Sequence, residues 1–338
     1  MKPLFISGIG VICAKGRGLD KFQAALKEDL KIPAVSAEER AAYRVPADDL
    51  TDREVLRQAK RADRFSRLTV LAAYDAVRDS GLSLPGIQRQ STGIVLATAF
   101  GAHSTIFKFL DDIIDYGECN VSPTKFAHSI HNAAASYIAA TLECKGPAMT
   151  VTQFHFSFHQ ALLLAYAWLC EGRVERVLVG VADECSPAME YIYEEKLSGA
   201  GGKMRKAASG EKPGFIPGEG SAFFLLTLDR GAAKYGAISG IEMERGFQGW
   251  PDAGLSIVSG NAMAGAGANI TVYPDVYGGL MSSGGFECAA AALMLKNQVM
   301  YGKTDAAGAG GVATQQLRVI QSVSHNCEGE LAFVKIEA

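Results

Sequence analysis

The sequence contains no long hydrophobic run and no cluster of basic residues. None of its apolar stretches reaches the ~18 residues that a membrane-spanning helix needs, so we expect no membrane span. Its 33 Lys and Arg residues are scattered and face 36 Asp and Glu, for a net charge of −3. This balance argues against a nucleic-acid-binding protein. No secretory signal is recognisable, because the chain enters a predicted strand directly after Lys2 and Pro3.

Cysteine and histidine are both scarce and unpatterned. The seven cysteines are dispersed and form no Cys-x-x-Cys pair, which predicts reduced thiols in a cytoplasmic protein. Among the six histidines, His128 and His131 are the nearest to a metal pair, but no acid or cysteine close by completes a ligand set. We therefore expect neither a metal nor a cofactor.

The most informative stretch covers residues 146–172, where a strand runs directly into a helix. Met149 and Val151, with the threonines around them, predict a buried strand. After Ser157, a candidate N-cap, the apolar residues follow a helical spacing: Phe158, Leu162, Ala165 and Leu169. His155 lies at the junction, where helix N-terminal N–H groups stabilise negative charge and many α/β enzymes place a nucleophile.

Further strands and a helix are predicted before and after this stretch, several of them next to glycines. Leu4–Cys13 and Gly93–Thr98 are predicted strands, and Ser66–Ser80 is a predicted helix. A second buried strand starts at Arg176 and ends in acid at Glu184. The motif over 214–220, Gly-Phe-Ile-Pro-Gly-Glu-Gly, precedes another apolar strand, and we interpret its acid as a structural tie.

Together these motifs resemble the β-ketoacyl synthases, in which the elbow after a Gly-Pro strand carries a nucleophilic cysteine. Alignment on Gly146 and Pro147 places His155 at that cysteine without a gap. The resemblance implies an α/β, thiolase-like fold of two βαβαβ-type halves in an α-β-α-β-α arrangement. The first half would cover 1–230, and a shortened second half, with a deletion near 246–269, would cover 231–338.

The resemblance also implies that the chemistry of condensation is missing. Tyr273 occupies the position of the family's lysine and Gly278 that of its second histidine, and nothing matches the first histidine. A histidine such as His155 is a poor acyl acceptor in place of cysteine, and glycine has no side chain with which to donate a hydrogen bond. We therefore expect no catalysis by this chain alone.

An inactive member of this family resembles the chain-length factors of type II polyketide synthases, and the shortened second half resembles the aryl polyene type. This similarity implies a heterodimer with an active β-ketoacyl-ACP synthase, with a heterotetramer also open, and an acyl carrier protein that binds through the partner. The strand implied to pair across the two-fold axis consists of Ala148, Met149, Thr150, Val151 and Thr152. The residues implied to line the acyl tunnel or the interface are Ile106, Phe109, Leu110, Ile113, Phe154 and Phe156.

Three alternatives stay open from the sequence. The residues at helical spacing after strand Gly93–Thr98 are also compatible with an ordinary core. A second alternative is that the chemistry has moved to His155, Ser157 and His159, with the two histidines four residues apart on one helical face. Asp183 or Glu184 would then be the acid–base partner in a decarboxylase or acyl hydrolase. The chain is finally compatible with a thiolase-fold carrier or scaffold in which the elbow has no role.

Overall fold

The computed structural model describes the chain in nine segments, 1–28, 41–87, 91–193, 216–245, 255–258, 270–271, 273–301, 316–326 and 330–338. The glycine-rich sequence stretches 197–212 and 305–315 lie outside these segments, as does most of 246–269, where the sequence predicts a deletion. The strands of the described segments are β1 Leu4–Cys13, β2 Gly16–Arg17, β3 Thr92–Thr98, β4 Ala148–Thr152, β5 Arg176–Asp183, β6 Gly220–Thr227, β7 Ala237–Arg245, β8 Ser256–Val258, β9 Ile270–Thr271, β10 Val319–His325 and β11 Glu330–Glu337.

Ten α-helices alternate with these strands. They are α1 Leu19–Lys27, α2 Arg64–Ser80, α3 Leu84–Ile87, α4 His103–Tyr116, α5 Pro123–Ser129, α6 Ala133–Leu142, α7 Ser157–Cys170, α8 Pro187–Ile192, α9 Pro274–Tyr277 and α10 Gly284–Asn297. Within the described segments, no helix is both long enough and apolar enough to cross a membrane.

The strands join in the order β4-β3-β5-β6-β1-β7-β11-β10-β8-β9, with β2 paired to β1. The first five strands of this order, β4 to β1, form one group, and the last five, β7 to β9, form a second. In the first group, β3 is parallel to both β4 and β5, and β6 is antiparallel to β5 and β1. In the second group, β11 is antiparallel to β7 and β10, and β10 is parallel to β8. Only two residue pairs, Leu4 with Ile238 and Phe5 with Ala237, connect the two groups.

Helices separate and cover these two groups of strands. Helices α7 and α10 contact strands of both groups and share one buried core with them. Helices α2 and α6 pack on the first group from the other side, where they form a second core cluster. The described residues thus confirm a layered α/β fold and supply four layers of the predicted α-β-α-β-α order. The boundary predicted near residue 230 stays a prediction.

Local chemistry explains where α2 begins and ends. The carboxylate of Asp63 accepts a hydrogen bond from the backbone N–H of Ser66 at 2.8 Å and caps the helix. The helix therefore starts at Arg64, two residues before the predicted Ser66. Gly81 ends it in the left-handed conformation, with φ of 75°, as the sequence predicts.

Glu219 of the glycine-rich motif is a fully buried hub. Its carboxylate accepts hydrogen bonds from the Arg64 guanidinium and from the backbone N–H groups of Val45 and Cys185. It therefore ties the start of β6 to α2 and to the segments around Val45 and Cys185. This confirms the structural role predicted for the acid of the motif, whose first two residues, Gly214 and Phe215, lie outside the described segments.

Candidate functional site

The site forms where β4 turns into α7. After Thr152 the chain makes a single 3-10 turn, Phe154–Phe156, and α7 begins at Ser157. Ser157 is not the N-cap that the sequence suggested, because Phe156 holds that position. Instead, the Ser157 hydroxyl accepts the backbone N–H of Gln153 at 2.7 Å and donates to the carbonyl oxygen of Thr98 at 2.9 Å. The elbow is thus fixed to the end of β3.

His155 projects from this turn and lies close to a residue that the sequence did not connect with it. Burial, and more weakly the neighbouring His325, lowers the pKa of the His155 imidazole to about 4. His155 is therefore neutral at pH 7. His325 ends β10, whose contacts with the 3-10 turn bring the two halves of the chain together at the elbow. The only sequence signal for this role is that His325 is the sole histidine of the second half.

His159 does not share the environment of His155. It is completely buried, its ring packs edge-on between Phe156 and Phe158, and neither ring nitrogen has a hydrogen-bond partner among the described residues. Burial lowers the pKa of its imidazole to about 3. The suggested pairing of the two histidines on one helical face is therefore wrong, because His155 precedes the helix and His159 faces the core.

The two acids at the end of β5 are engaged elsewhere. Asp183 accepts hydrogen bonds from the Thr98 hydroxyl at 2.7 Å, from the backbone N–H of Ala99 at 2.9 Å and from Ser282. Glu184 accepts the backbone N–H of Ser104, at the start of α4, at 2.8 Å. Burial raises the pKa of both carboxyls, to about 7 for Glu184. Both acids anchor loops, and no described hydrogen bond joins either of them to His155.

The segment that aligns with the family's lysine and second histidine is packed tightly against neighbouring backbone. The hydroxyl of Tyr273 is buried and donates to the carbonyl oxygen of Tyr301. Gly278 has a φ of 78°, and a Cβ atom built on it would lie 2.7 Å from the Cα and 2.8 Å from the backbone nitrogen of Gly218. Real Cβ atoms essentially never approach backbone so closely, so position 278 has no room for any side chain.

A buried acid lies behind this closed segment. Glu287, at the start of α10, accepts weak hydrogen bonds from the hydroxyls of Tyr277 and Ser322, each at 3.4 Å. Complete burial raises the pKa of its carboxyl to about 8, so the group is protonated at pH 7. No group of three or more His, Cys, Asp or Glu residues in the described segments is arranged to hold a metal ion.

Helices α4 and α5 carry many exposed or half-buried apolar side chains, which together we call the apolar face of α4 and α5. Of the four residues predicted on α4, Ile106, Phe109 and Ile113 are half-buried, and the Phe109 ring packs on Phe126 of α5 at 5.6 Å. Leu110 belongs to a different stripe of the helix and is 44% exposed. The remaining exposed apolar residues of this face, which the sequence did not single out, are Phe107, Ile114, Tyr116, Phe126 and Ile130.

Strand β4 stands at one end of the strand order. It pairs with β3 along its length, and Met149 is 47% exposed. The expectation that this strand is buried on both faces is wrong for the single chain, in which all five of its residues are exposed or half-buried. Because no other strand of the described segments pairs with its outer edge, that edge is open to pairing with another chain.

The comparisons with known proteins agree with this geometry. The model of the β-ketoacyl synthase N-terminal domain matches residues 1–232, more than half of the chain, and the chain therefore belongs to that family. It is 24% identical over 264 residues to a 3-oxoacyl-acyl-carrier-protein synthase 2 of Synechocystis and 27% identical over 267 residues to a putative polyketide β-ketoacyl synthase 1 of Streptomyces halstedii. These matches cover 72% and 71% of this chain but only 62% of each relative. The chain thus spans less than two thirds of the length of these curated relatives.

Solved structures extend the similarity over the whole chain. The ishigamide ketosynthase/chain length factor matches with a TM-score of 0.72 and 19% identity, over 99% of both chains. A structure of a type II polyketide synthase acyl carrier protein in complex with its ketosynthase matches with a TM-score of 0.74 and 16% identity, over 100% of this chain and 99% of the other. At these identities the similarity establishes the thiolase-like fold.

Replacing His159 by methionine should make the chain less sensitive to acid. The unfolded chain binds a proton at His159 near pH 6.5, whereas the folded chain does so only near pH 3. Because the unfolded chain takes up the proton first, titration of His159 leaves the free energy of unfolding unchanged well above pH 6.5. The free energy of unfolding then decreases as the pH falls, by about 2 kcal/mol between pH 7 and pH 5. Urea unfolding of both proteins at the two pH values measures the difference.

The wild type should lose about 2 kcal/mol more than His159→Met over this interval. Glu184 and Glu287, whose raised pKa values act in the opposite direction, are common to both proteins and cancel in the comparison. Equal losses in the two proteins would contradict a neutral, buried His159.

Proposed function

We propose that this chain is a non-catalytic, chain-length-factor-like subunit that pairs with an active β-ketoacyl-ACP synthase in type II polyketide biosynthesis, of the aryl polyene kind. In this role it stabilises the catalytic partner and shapes the tunnel for the growing acyl chain. The acyl carrier protein docks on the pair and delivers its cargo to the partner's active site.

The closed backbone at Gly278 carries the proposal. A condensing enzyme of this family needs two histidines that hydrogen-bond the enolate formed on decarboxylation, and such stabilisation is usually the largest part of catalysis. At position 278 the backbone of Gly218 fills the volume that a side chain would need. The side chain of Tyr273, at the lysine position, is occupied with Tyr301.

The elbow offers no substitute for the missing thiolate. His155 is neutral and half-buried, and an acyl group on its imidazole would hydrolyse readily. A hydrolase or decarboxylase built on His155 would need an oriented acid–base partner. Asp183 and Glu184 accept hydrogen bonds from loops and helices instead, and the Ser157 hydroxyl is used to fix the elbow. These contacts support a binding role over relocated chemistry.

The exposed surface supports pairing. Helix α5 contacts both α4 and α6, and α6 contacts β4, so a chain of packed elements links the apolar face to the open edge. A large set of exposed apolar side chains of this kind marks an interaction site. A partner that adds its own strand antiparallel to β4 would extend the sheet and cover the face. The similarity to a ketosynthase/chain length factor supports a ketosynthase as that partner.

The purified chain should form no covalent acyl adduct. Incubation with an acyl carrier protein loaded with a short acyl group, followed by intact mass spectrometry, should show the unmodified mass, because no thiolate lies at the elbow. An active ketosynthase serves as positive control. A stoichiometric adduct that disappears in His155→Ala would contradict the proposal and favour the hydrolase alternative.

Pairing should depend on the edge of β4. Co-expression with an active β-ketoacyl-ACP synthase of the same organism should give a soluble heterodimer, and expression alone should give homodimers or aggregates. Met149→Lys places a charge on the exposed edge strand and should abolish the heterodimer in size-exclusion chromatography while it keeps the partner-free chain in solution. The matched control is Val299→Ala, an exposed apolar residue outside the face, which should pair as the wild type does. A heterodimer that survives Met149→Lys would exclude β4 as the pairing strand.

The tunnel of the partner should end on the half-buried stripe of α4. A growing, largely apolar chain needs a dry channel, and large side chains at its end limit its depth. Phe109→Ala and Ile113→Ala should leave cavities that admit longer chains. The reconstituted pair should therefore give longer products by mass spectrometry, whereas Lys108→Ala, on the exposed side of the same helix, should not. Unchanged product lengths at wild-type rates would mean that these residues are only core.

A further inference from the structure

Phe154 has an unusual backbone for an aromatic residue. Its φ is 46°, in the left-handed region that residues other than glycine seldom adopt. Among the described residues, only Glu143 and Gln298 share this property outside glycine. Both of these are C-caps, of α6 and α10, where a left-handed residue is common. Phe154 lies in a 3-10 turn between a strand and a helix, where no such cap is required.

The strained backbone of Phe154 gives its side chain few contacts within its own chain. The side chain is 59% exposed, and its described ring contact is edge-to-face with Phe100 at 5.7 Å. The elbow itself is held by the Ser157 hydroxyl and by main-chain groups, so the ring is not needed to close the turn. Residues that stay in sparsely populated backbone conformations cluster at functional sites, where the conformation serves a contact.

The position of the ring points to the contact. One residue, Gln153, separates Phe154 from the end of β4, so Phe154 lies at the end of the open edge that carries Met149. Through Phe100, whose ring also meets that of His103 edge-on at 6.3 Å, it adjoins the base of α4. The ring therefore stands between the end of the open strand edge and the first turn of α4.

We propose that Phe154 is the aromatic anchor of pairing, and that its ring inserts into an apolar pocket of the ketosynthase subunit beside the strand that pairs with β4. This inference rests on the proposed function. Large, rigid aromatic side chains near the centre of an interface contribute most of the binding energy of many complexes, because they are fully desolvated there at a small entropic cost. The left-handed backbone directs this side chain outward from the elbow, and the partner covers the exposed ring.

The test compares two measurements on Phe154→Gly. Glycine adopts a left-handed φ without strain, so the variant should raise the melting temperature of the partner-free chain by about 1–2 °C. This is measured in the Met149→Lys background, in which pairing is blocked. In the otherwise wild-type chain, the same change should raise the Kd for the ketosynthase at least tenfold. Phe154→Leu, which keeps part of the apolar surface, should give a Kd between those of the wild type and Phe154→Gly. Val299→Ala should change neither the Kd nor the melting temperature.

The two measurements separate the possible failures. If Phe154→Gly pairs with the wild-type Kd, the anchor is refuted, while pairing itself stands. If the melting temperature falls, the ring serves the fold of its own chain, and the inference is also overturned. If the wild-type chain binds no active ketosynthase of the same organism at all, the proposed function fails and this inference fails with it.

Discussion

The buried carboxylate of Glu219 is the constraint on which the candidate site depends. It has no exposed surface, and its hydrogen bonds come from three separate parts of the chain, Arg64, Val45 and Cys185. A buried carboxyl group is tolerated only when hydrogen-bond donors surround it, because a buried polar group left without partners is costly. Its position fixes the residue before it, Gly218, whose backbone occupies the space beside Gly278. One structural acid thus determines what the neighbouring segment can hold.

Three buried or half-buried titratable side chains near the elbow carry no charge at pH 7. Burial leaves the imidazoles of His155 and His159 neutral and Glu287 protonated at pH 7. No described hydrogen bond joins these groups to one another, and Asp183 and Glu184 anchor loops instead of orienting His155. This arrangement is compatible with a subunit that contributes walls and contact surface to a complex.

Much of this architecture was predictable because it is encoded locally. The strand–elbow–helix unit, the helix that ends at Gly81 and the role of Glu219 follow from residue spacing, glycine positions and caps. The approach of His325 to His155 was not predictable, because it joins residues from different halves of the chain. The exposed stripe of α4 was missed for another reason. The helix has two apolar stripes, and only the packing of α5 on Phe109 decides which one is covered.

The contact between the backbones at Gly218 and Gly278 limits which substitutions the chain can accept. No single substitution can place an imidazole at position 278, because the incoming side chain would collide with main-chain atoms of Gly218, the residue beside the buried Glu219. Such a side chain could enter only together with changes that move the two segments apart. The obstacle is backbone on both sides, so trimming a neighbouring side chain would not make room, and a rescue of this position requires remodelling of a loop rather than a second point mutation.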